Sequence, residues 1–246
     1  MRKFLVLALG ALALAPTAAF AQEKVLHEER SLYRNIRVTQ NGQERCMLFR
    51  ARQWLGRQSC QIMDNPRKLV FDYTQMMLAG LYLKPAPKKV LIVGLGGATI
   101  PSTLQYLLPD AQIDVAELDE AVHKVALNYF NFKPGPHTKV TIADGRVFVK
   151  RARTANARYD MILLDAFEAD YIPEHMLTKE FFEEVRSIMA PDAVLVANTF
   201  SSSTLYNNES VTYRAVFGQF FNLKLGNRVI LTKLGGLPPV TEIRAN

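Results

Sequence analysis

The chain has only two cysteines, Cys46 and Cys60, and four scattered histidines, His27, His123, His137 and His175, in 246 residues. Two thiols without a supporting histidine cluster make a poor metal site, so no metal is expected. In an oxidising compartment they could pair with each other, which spacing alone leaves open. No serine sits in a Gly-x-Ser-x-Gly elbow, which argues against a hydrolase. No internal repeat or low-complexity tract is present, and a second catalytic domain of the kind a dehydrogenase needs is also lacking. A concentrated basic patch is missing too. Formal charge is +7. Arg2 and Lys3 belong to a leader, and the remaining excess is dispersed along the chain, so nucleic acid is not an expected partner.

Long apolar runs are equally scarce. Phe4 to Ala15 is the main one, too short for a comfortable membrane span. Preceded by Arg2 and Lys3 and followed by Ala19-Phe20-Ala21, it reads as a secretory signal peptide over residues 1–21. Cleavage before Gln22 would give a periplasmic or secreted product with no stable membrane span.

What is there is an ordered globular composition, 49% hydrophobic, organised around one stretch. Val90 to Val93 is an apolar run of the kind that forms a strand buried on both faces. It breaks into Gly94, Gly96 and Gly97, where a missing Cβ permits a tight turn and close approach of a ligand. A helical pattern through Ile100, Leu104, Leu107 and Leu108 follows, so the loop delivers a helix N-terminus. Ile113 to Asp119 reads as the next strand, with Glu117 at its end, placed to accept hydrogen bonds from ribose hydroxyls. Val140 to Asp144, then Gly145, closes another, and Tyr159 to Asp165 a further one.

Strands alternating with helices over about 150 residues predict an α/β fold with a largely parallel sheet, of the Rossmann-like kind. Ligands then bind beyond the carboxyl ends of the strands. Gly94 to Gly97, Glu117, Asp144 and Asp165 share that edge, and Glu168 and Asp170 follow closely. The first three suit an adenosine-bearing ligand; the acids beside it suit a cationic co-substrate, one of them able to accept or orient the proton of an attacking amine.

Upstream, the alternation over Tyr33 to Val38, the Asn41-Gly42 turn and the return over Arg45 to Phe49 predict a small β-hairpin layer. One helix is predicted over Leu69 to Leu83, ended by Pro85 and Pro87. The expected division is 22–68 for the hairpin region and 69–246 for the nucleoside-binding catalytic domain. Helices are also expected over Glu120 to Tyr129, Arg146 to Ala157, Lys179 to Met189 (capped by Thr178) and Val211 to Phe220, with a late strand over Asn227 to Thr232. His175 follows the acidic loop, within reach of the site, but a surface or structural role is the expectation.

From about Leu32 to Thr232 the chain resembles the spermidine/spermine synthase family, the polyamine aminopropyltransferases. The resemblance rests on Leu32 to Val38, Gln58-Ser59, Tyr73 to Met76, Lys89 to Gly97, Ala116 to Asp119, Ala143 to Gly145 and Leu164 to Glu168. It implies a fold of the S-adenosylmethionine-methyltransferase type and binding of decarboxylated S-adenosylmethionine as co-substrate, with no permanently bound cofactor. Gln58, Gly94, Gly96, Gly97, Glu117, Asp144 and Gly145 would hold the nucleoside. Tyr73, Gln75, Glu168 and Asp170 would line a groove for a diamine such as putrescine, and Asp165 would be catalytic. A homodimer is also implied. The chain departs from the family in having Gly97 where an aspartate is usual and Gln75 where a glutamate is usual. Two other readings remain open: a methyltransferase using intact S-adenosylmethionine, and an exported non-catalytic binder of nucleosides or polyamines.

Overall fold

Near the start, Ile36 and Val38 are buried with a less buried Arg37 between them, the period of a half-buried strand. They belong to a four-stranded antiparallel sheet of β1 (Lys24–Arg30), β2 (Asn35–Asn41), β3 (Glu44–Ala51) and β4 (Trp54–Ile62), in that order. This computed structural model describes residues 23–51, 54–166, 172–199, 201 and 205–244. The expected leader, and the acids Glu168 and Asp170, lie outside the described residues. The predicted hairpin is β2–β3, turning at Gly42 with φ +56°. Two more strands flank it. Cys46 and Cys60 face each other in the β3–β4 register and are joined as a disulfide.

Next come α1 (Asp72–Leu78) and α2 (Gly80–Leu83), where one helix was predicted. A glycine, poor in a helix, stands at the junction, and a Cβ there would crowd Val196 and Met161, so the chain hugs the sheet behind it. The main sheet then alternates with helices: β5 (Lys89–Val93), α3 (Thr99–Leu107), β6 (Gln112–Glu117), α4 (Glu120–Tyr129), β7 (Thr138–Ile142), α5 (Gly145–Thr154), β8 (Tyr159–Leu164), a 3₁₀ turn (Glu174–Met176), α6 (Lys179–Ser187), β9 (Met189–Thr199), α7 (Tyr206–Phe217), β10 (Phe221–Leu225), β11 (Asn227–Lys233) and α8 (Val240–Ile243).

The seven strands lie in the order β10-β11-β9-β8-β5-β6-β7. Strands β5 to β9 are mutually parallel, β11 runs antiparallel to β9, and β10 pairs antiparallel with β11 at the edge. The fold is thus α/β with a mostly parallel sheet, as expected. The apolar runs are continuous because each strand is covered on both faces. Leu91, Val93, Ile162, Leu164 and Leu195 enter one core, while Val90, Ile92, Leu163, Val194 and Val196 enter the other. Each fully buried side chain of this size contributes about 1.5–3 kcal/mol before entropy is counted. Helix α7 begins at Tyr206, earlier than the predicted Val211, and ends at Phe217, before the predicted Phe220; edge strand β10, with alternate exposure, starts immediately after that predicted end.

The two sheets are held together through α4. Ile36, Val38 and Phe49 pack with Val122, Val125 and Phe130. Arg45 Nη1 donates to the carbonyl of Tyr129 at 2.7 Å. That docking brings the middle of β4, Arg57 to Ser59, to the carboxyl edge of the main sheet.

Candidate active site

The parallel strands leave β5 in two directions, to β6 on one side and β8 on the other. At such a switch point the loops beyond the strand ends diverge and open a crevice. A cavity of about 400 Å³ lies there. Gly94, at the end of β5, adopts φ +102°, where a side chain would be strained. A Cβ there would also collide with the main-chain carbonyl of Asp165, so the close approach of the two strand ends requires glycine. Asp165 N donates to Val93 O at 2.8 Å, fixing its main chain against β5.

Glu117 ends β6 and is buried. Its Oε2 accepts the N–H of Leu95 in the glycine loop and its Oε1 accepts that of Asp119, both at 2.9 Å. Burial raises its pKa; the two N–H bonds and Arg34 act in the opposite direction without prevailing. Asp144 caps α5, its Oδ1 accepting the N–H of Val147 at 2.9 Å, and its Oδ2 lies 3.1 Å from Nε2 of His175. His175 thus lines the cavity in contact with a predicted site residue.

Asp165 follows β8 and faces the same cavity. Burial pushes its carboxyl up to about 7, with the Asn198 amide opposing and the Glu117 charge adding to the rise. Tyr73, on α1, is raised well above its ordinary value, first by burial and then by Asp165. A carboxyl poised near neutrality beside an open cavity is suited to accepting the proton that an amine nitrogen sheds as it becomes an ammonium during attack.

The cavity brings together Tyr73, Gln58, Gly94, Gly96, Glu117, Asp144, Gly145 and Asp165 among the sequence-derived candidates. Two are not brought in. Gln75 is exposed on α1, outside the cavity wall. Gly97 is not part of the cavity wall: a Cβ there would meet Phe130 and Ser59 at 3.0 Å, so the residue packs the loop against α4 and β4. Sequence reasoning missed Asn198, Asn227, Arg34 and Ser59, which also line the cavity. Asn198 is the penultimate residue of β9 and Asp165 the residue just after β8, so the same strand-end rule would have found it. Arg34 is placed by Asp119, its Nε 3.6 Å from Oδ2, and by the Phe49 ring at 4.6 Å, and no local pattern announces that.

Residues 70–226 match the family model of the spermine/spermidine synthase domain. A polyamine aminopropyltransferase of Vibrio vulnificus is 44% identical over 225 residues, spanning 89% of this chain and 75% of the relative. Among solved structures, a probable spermidine synthase from Corynebacterium glutamicum superposes with TM-score 0.71 at 20% identity, over 84% of this chain and 79% of the other. Human methyltransferase-like protein 13, solved with SAH, superposes with TM-score 0.65 at 24% identity, over 71% and 90%. At such identities the two structures bear on the fold alone, whereas the matched domain and the Vibrio relative extend over most of the sequence. The chain belongs to the spermine/spermidine synthase family.

Proposed function

We propose that the cavity binds decarboxylated S-adenosylmethionine along the glycine loop and transfers its aminopropyl group to a diamine such as putrescine, releasing 5′-methylthioadenosine. The observation that carries this reading is the convergence of the glycine loop, Glu117, Asp144 and Asp165 on one cavity at the switch point of the sheet. Membership of the family supplies the reaction class. Glu117 would take the ribose hydroxyls, Asp144 the adenine amino group, and Gln58 the far side of the nucleoside. Tyr73 would form the wall of the amine groove, and Glu168 and Asp170 would meet the diamine ammonium groups. Gln75, exposed on α1, is left without a contact to substrate.

In the step itself the amine lone pair forms a C–N bond to the aminopropyl carbon. The C–S bond breaks with its electrons going to sulfur, which becomes a neutral thioether. The proton shed by the new ammonium passes to Asp165. Positioning supplies most of the acceleration, since the sulfonium is already a good leaving group. Export is part of the same reading: the leader motif and the Cys46–Cys60 bridge support a periplasmic or secreted protein. A homodimer is likewise proposed, testable by sedimentation.

Calorimetry with methylthioadenosine, the decarboxylated donor and the intact donor tests the nucleoside assignment. The reading requires the decarboxylated donor to bind more tightly than the intact one. The reverse order would favour methyl transfer.

A further inference from the structure

The end of β8 is flanked on its outer side by two amides. In the parallel β8–β9 register Leu164 faces Ala197, so the next residues, Asp165 and Asn198, emerge side by side. Asn198 Nδ2 donates to Asp165 Oδ1 at 2.9 Å. Asn198 is held in turn by β11, the antiparallel neighbour of β9: Asn227 Nδ2 donates to Asn198 Oδ1 at 3.1 Å. All three line the cavity. Among the described residues, the other Asp165 oxygen, Oδ2, accepts no hydrogen bond.

We propose that Asn227 and Asn198 form a positioning relay, in which Asn227 fixes the direction of the Asn198 amide and Asn198 thereby holds Asp165 Oδ1, leaving Oδ2 for the acceptor amine. An isolated asparagine can present either end to a neighbour. Here both ends are specified, the carbonyl by a donor and the amino group by an acceptor. Asn227 acts on Asp165 only through Asn198, so it is a positioning residue that touches no reacting atom. The inference rests on the reading of Asp165 as the proton acceptor.

The relay also opposes the forces that keep Asp165 protonated. Facing that carboxyl are Glu117 from β6 and Tyr73 from α1, with Asp144, His175, Arg34 and Arg57 elsewhere on the cavity wall. Arg228, next to Asn227, is engaged away from the cavity with Glu209, Asn222 and Ser210. Within this set the Asn198 amide is the donor that contacts the carboxyl directly.

The test is the titration of Asp165 in the full chain, followed by ¹³C NMR of carboxyl-labelled aspartate and assigned by its disappearance in Asp165→Asn. Asn198→Ala should move the midpoint upward by about one pH unit, the effect of losing one hydrogen bond to a charged group. Asn227→Ala should move it in the same direction by less. Asn227→Asp should move it further than Asn227→Ala, because an acceptor at 227 attracts the Asn198 amino group and turns its carbonyl toward the Asp165 carboxylate. The acid limb of kcat/KM should follow the same order, whereas a merely structural role would lower activity at every pH without moving the limb. Equal midpoints in wild type and both Asn227 variants would overturn the relay. The two Asn227 changes lie at a strand start and keep the test open should Asn198→Ala fold poorly. The titration is readable without turnover, so a wild-type protein that transfers no aminopropyl group refutes the catalytic reading separately.

Discussion

The carboxylate of Glu117 accepts the backbone N–H of Leu95 at 2.9 Å, which ties the end of the second parallel strand to the glycine loop of the first. The acid therefore has two tasks, shaping the loop and facing the ligand. Glu117→Gln can keep one of its two backbone bonds but replaces an acceptor with a donor at the other. We expect nucleoside affinity to fall about 10- to 100-fold, with a lowered Tm, consistent with about 1.5–3 kcal/mol for a hydrogen bond to a charged group. Calorimetry with methylthioadenosine beside thermal melts checks it. Unchanged affinity with a lowered Tm would assign Glu117 to the loop alone.

Asp165 makes stability depend on pH. In the unfolded chain its carboxyl ionises near 3.8, while burial in the folded chain holds its proton up to about 7. Below about 4 both states carry that proton. Between those values the folded state binds more protons, so the contribution is present at low pH and is lost as pH rises through about 7. Asp165→Asn removes this dependence. At pH 8 the variant should be more stable than wild type by on the order of 1–2 kcal/mol, allowing for screening by water in the open cavity. Urea unfolding of both proteins across pH 5–8 measures it; parallel pH profiles would show that Asp165 titrates normally. The same substitution should reduce turnover by about 10²- to 10⁴-fold, the usual worth of a general base.

The Cys46–Cys60 bridge closes a short loop between β3 and β4, a sequence separation of 14 residues. A loop of this size stabilises by about 3 kcal/mol through the unfolded chain. Its placement adds a functional consequence, since β4 also carries Gln58 and Ser59 to the cavity. Reduction by dithiothreitol, or the Cys46→Ala/Cys60→Ala pair, should lower Tm and weaken nucleoside binding together. A lowered Tm with intact binding would show that the first sheet holds β4 in place without the bridge.

Arg228 has no exposed side-chain surface, and Glu209 almost none. Arg228 Nη1 lies 3.6 Å from Glu209 Oε2 and its guanidinium sits 3.9 Å over the Tyr206 ring, while Thr199 donates to Glu209 at 2.6 Å. Removing one partner strands a buried charge. Glu209→Ala should therefore cost about 3–5 kcal/mol in urea unfolding, whereas an exposed pair such as Lys124–Glu120 should cost under about 1 kcal/mol. Similar losses from Glu209→Ala and Glu120→Ala would refute this.

Much of this was legible in the chain because a parallel sheet writes itself as buried runs. Val90 to Val93 and Ile162 to Leu164 could be read as strands, and the rule that ligands sit beyond strand ends gave Glu117, Asp144 and Asp165. Local pattern failed where tertiary contacts decided. The helix break before Gly80 follows from a close approach to Val196. His175 meets Asp144 across 31 residues. Asn227 opens an antiparallel strand, and only the pairing of β11 with β9 brings it to the site. Gly97 was grouped with its neighbours by proximity in sequence, yet it faces Phe130 and Ser59.

The most direct test of the central claim is mass spectrometry of the products formed when the purified protein receives decarboxylated and intact S-adenosylmethionine with a mixture of diamines. The account predicts methylthioadenosine and an aminopropylated diamine in equal amounts from the decarboxylated donor, strongly reduced by Asp165→Asn. S-adenosylhomocysteine from the intact donor, or ligand retained with no product from either donor, would contradict it.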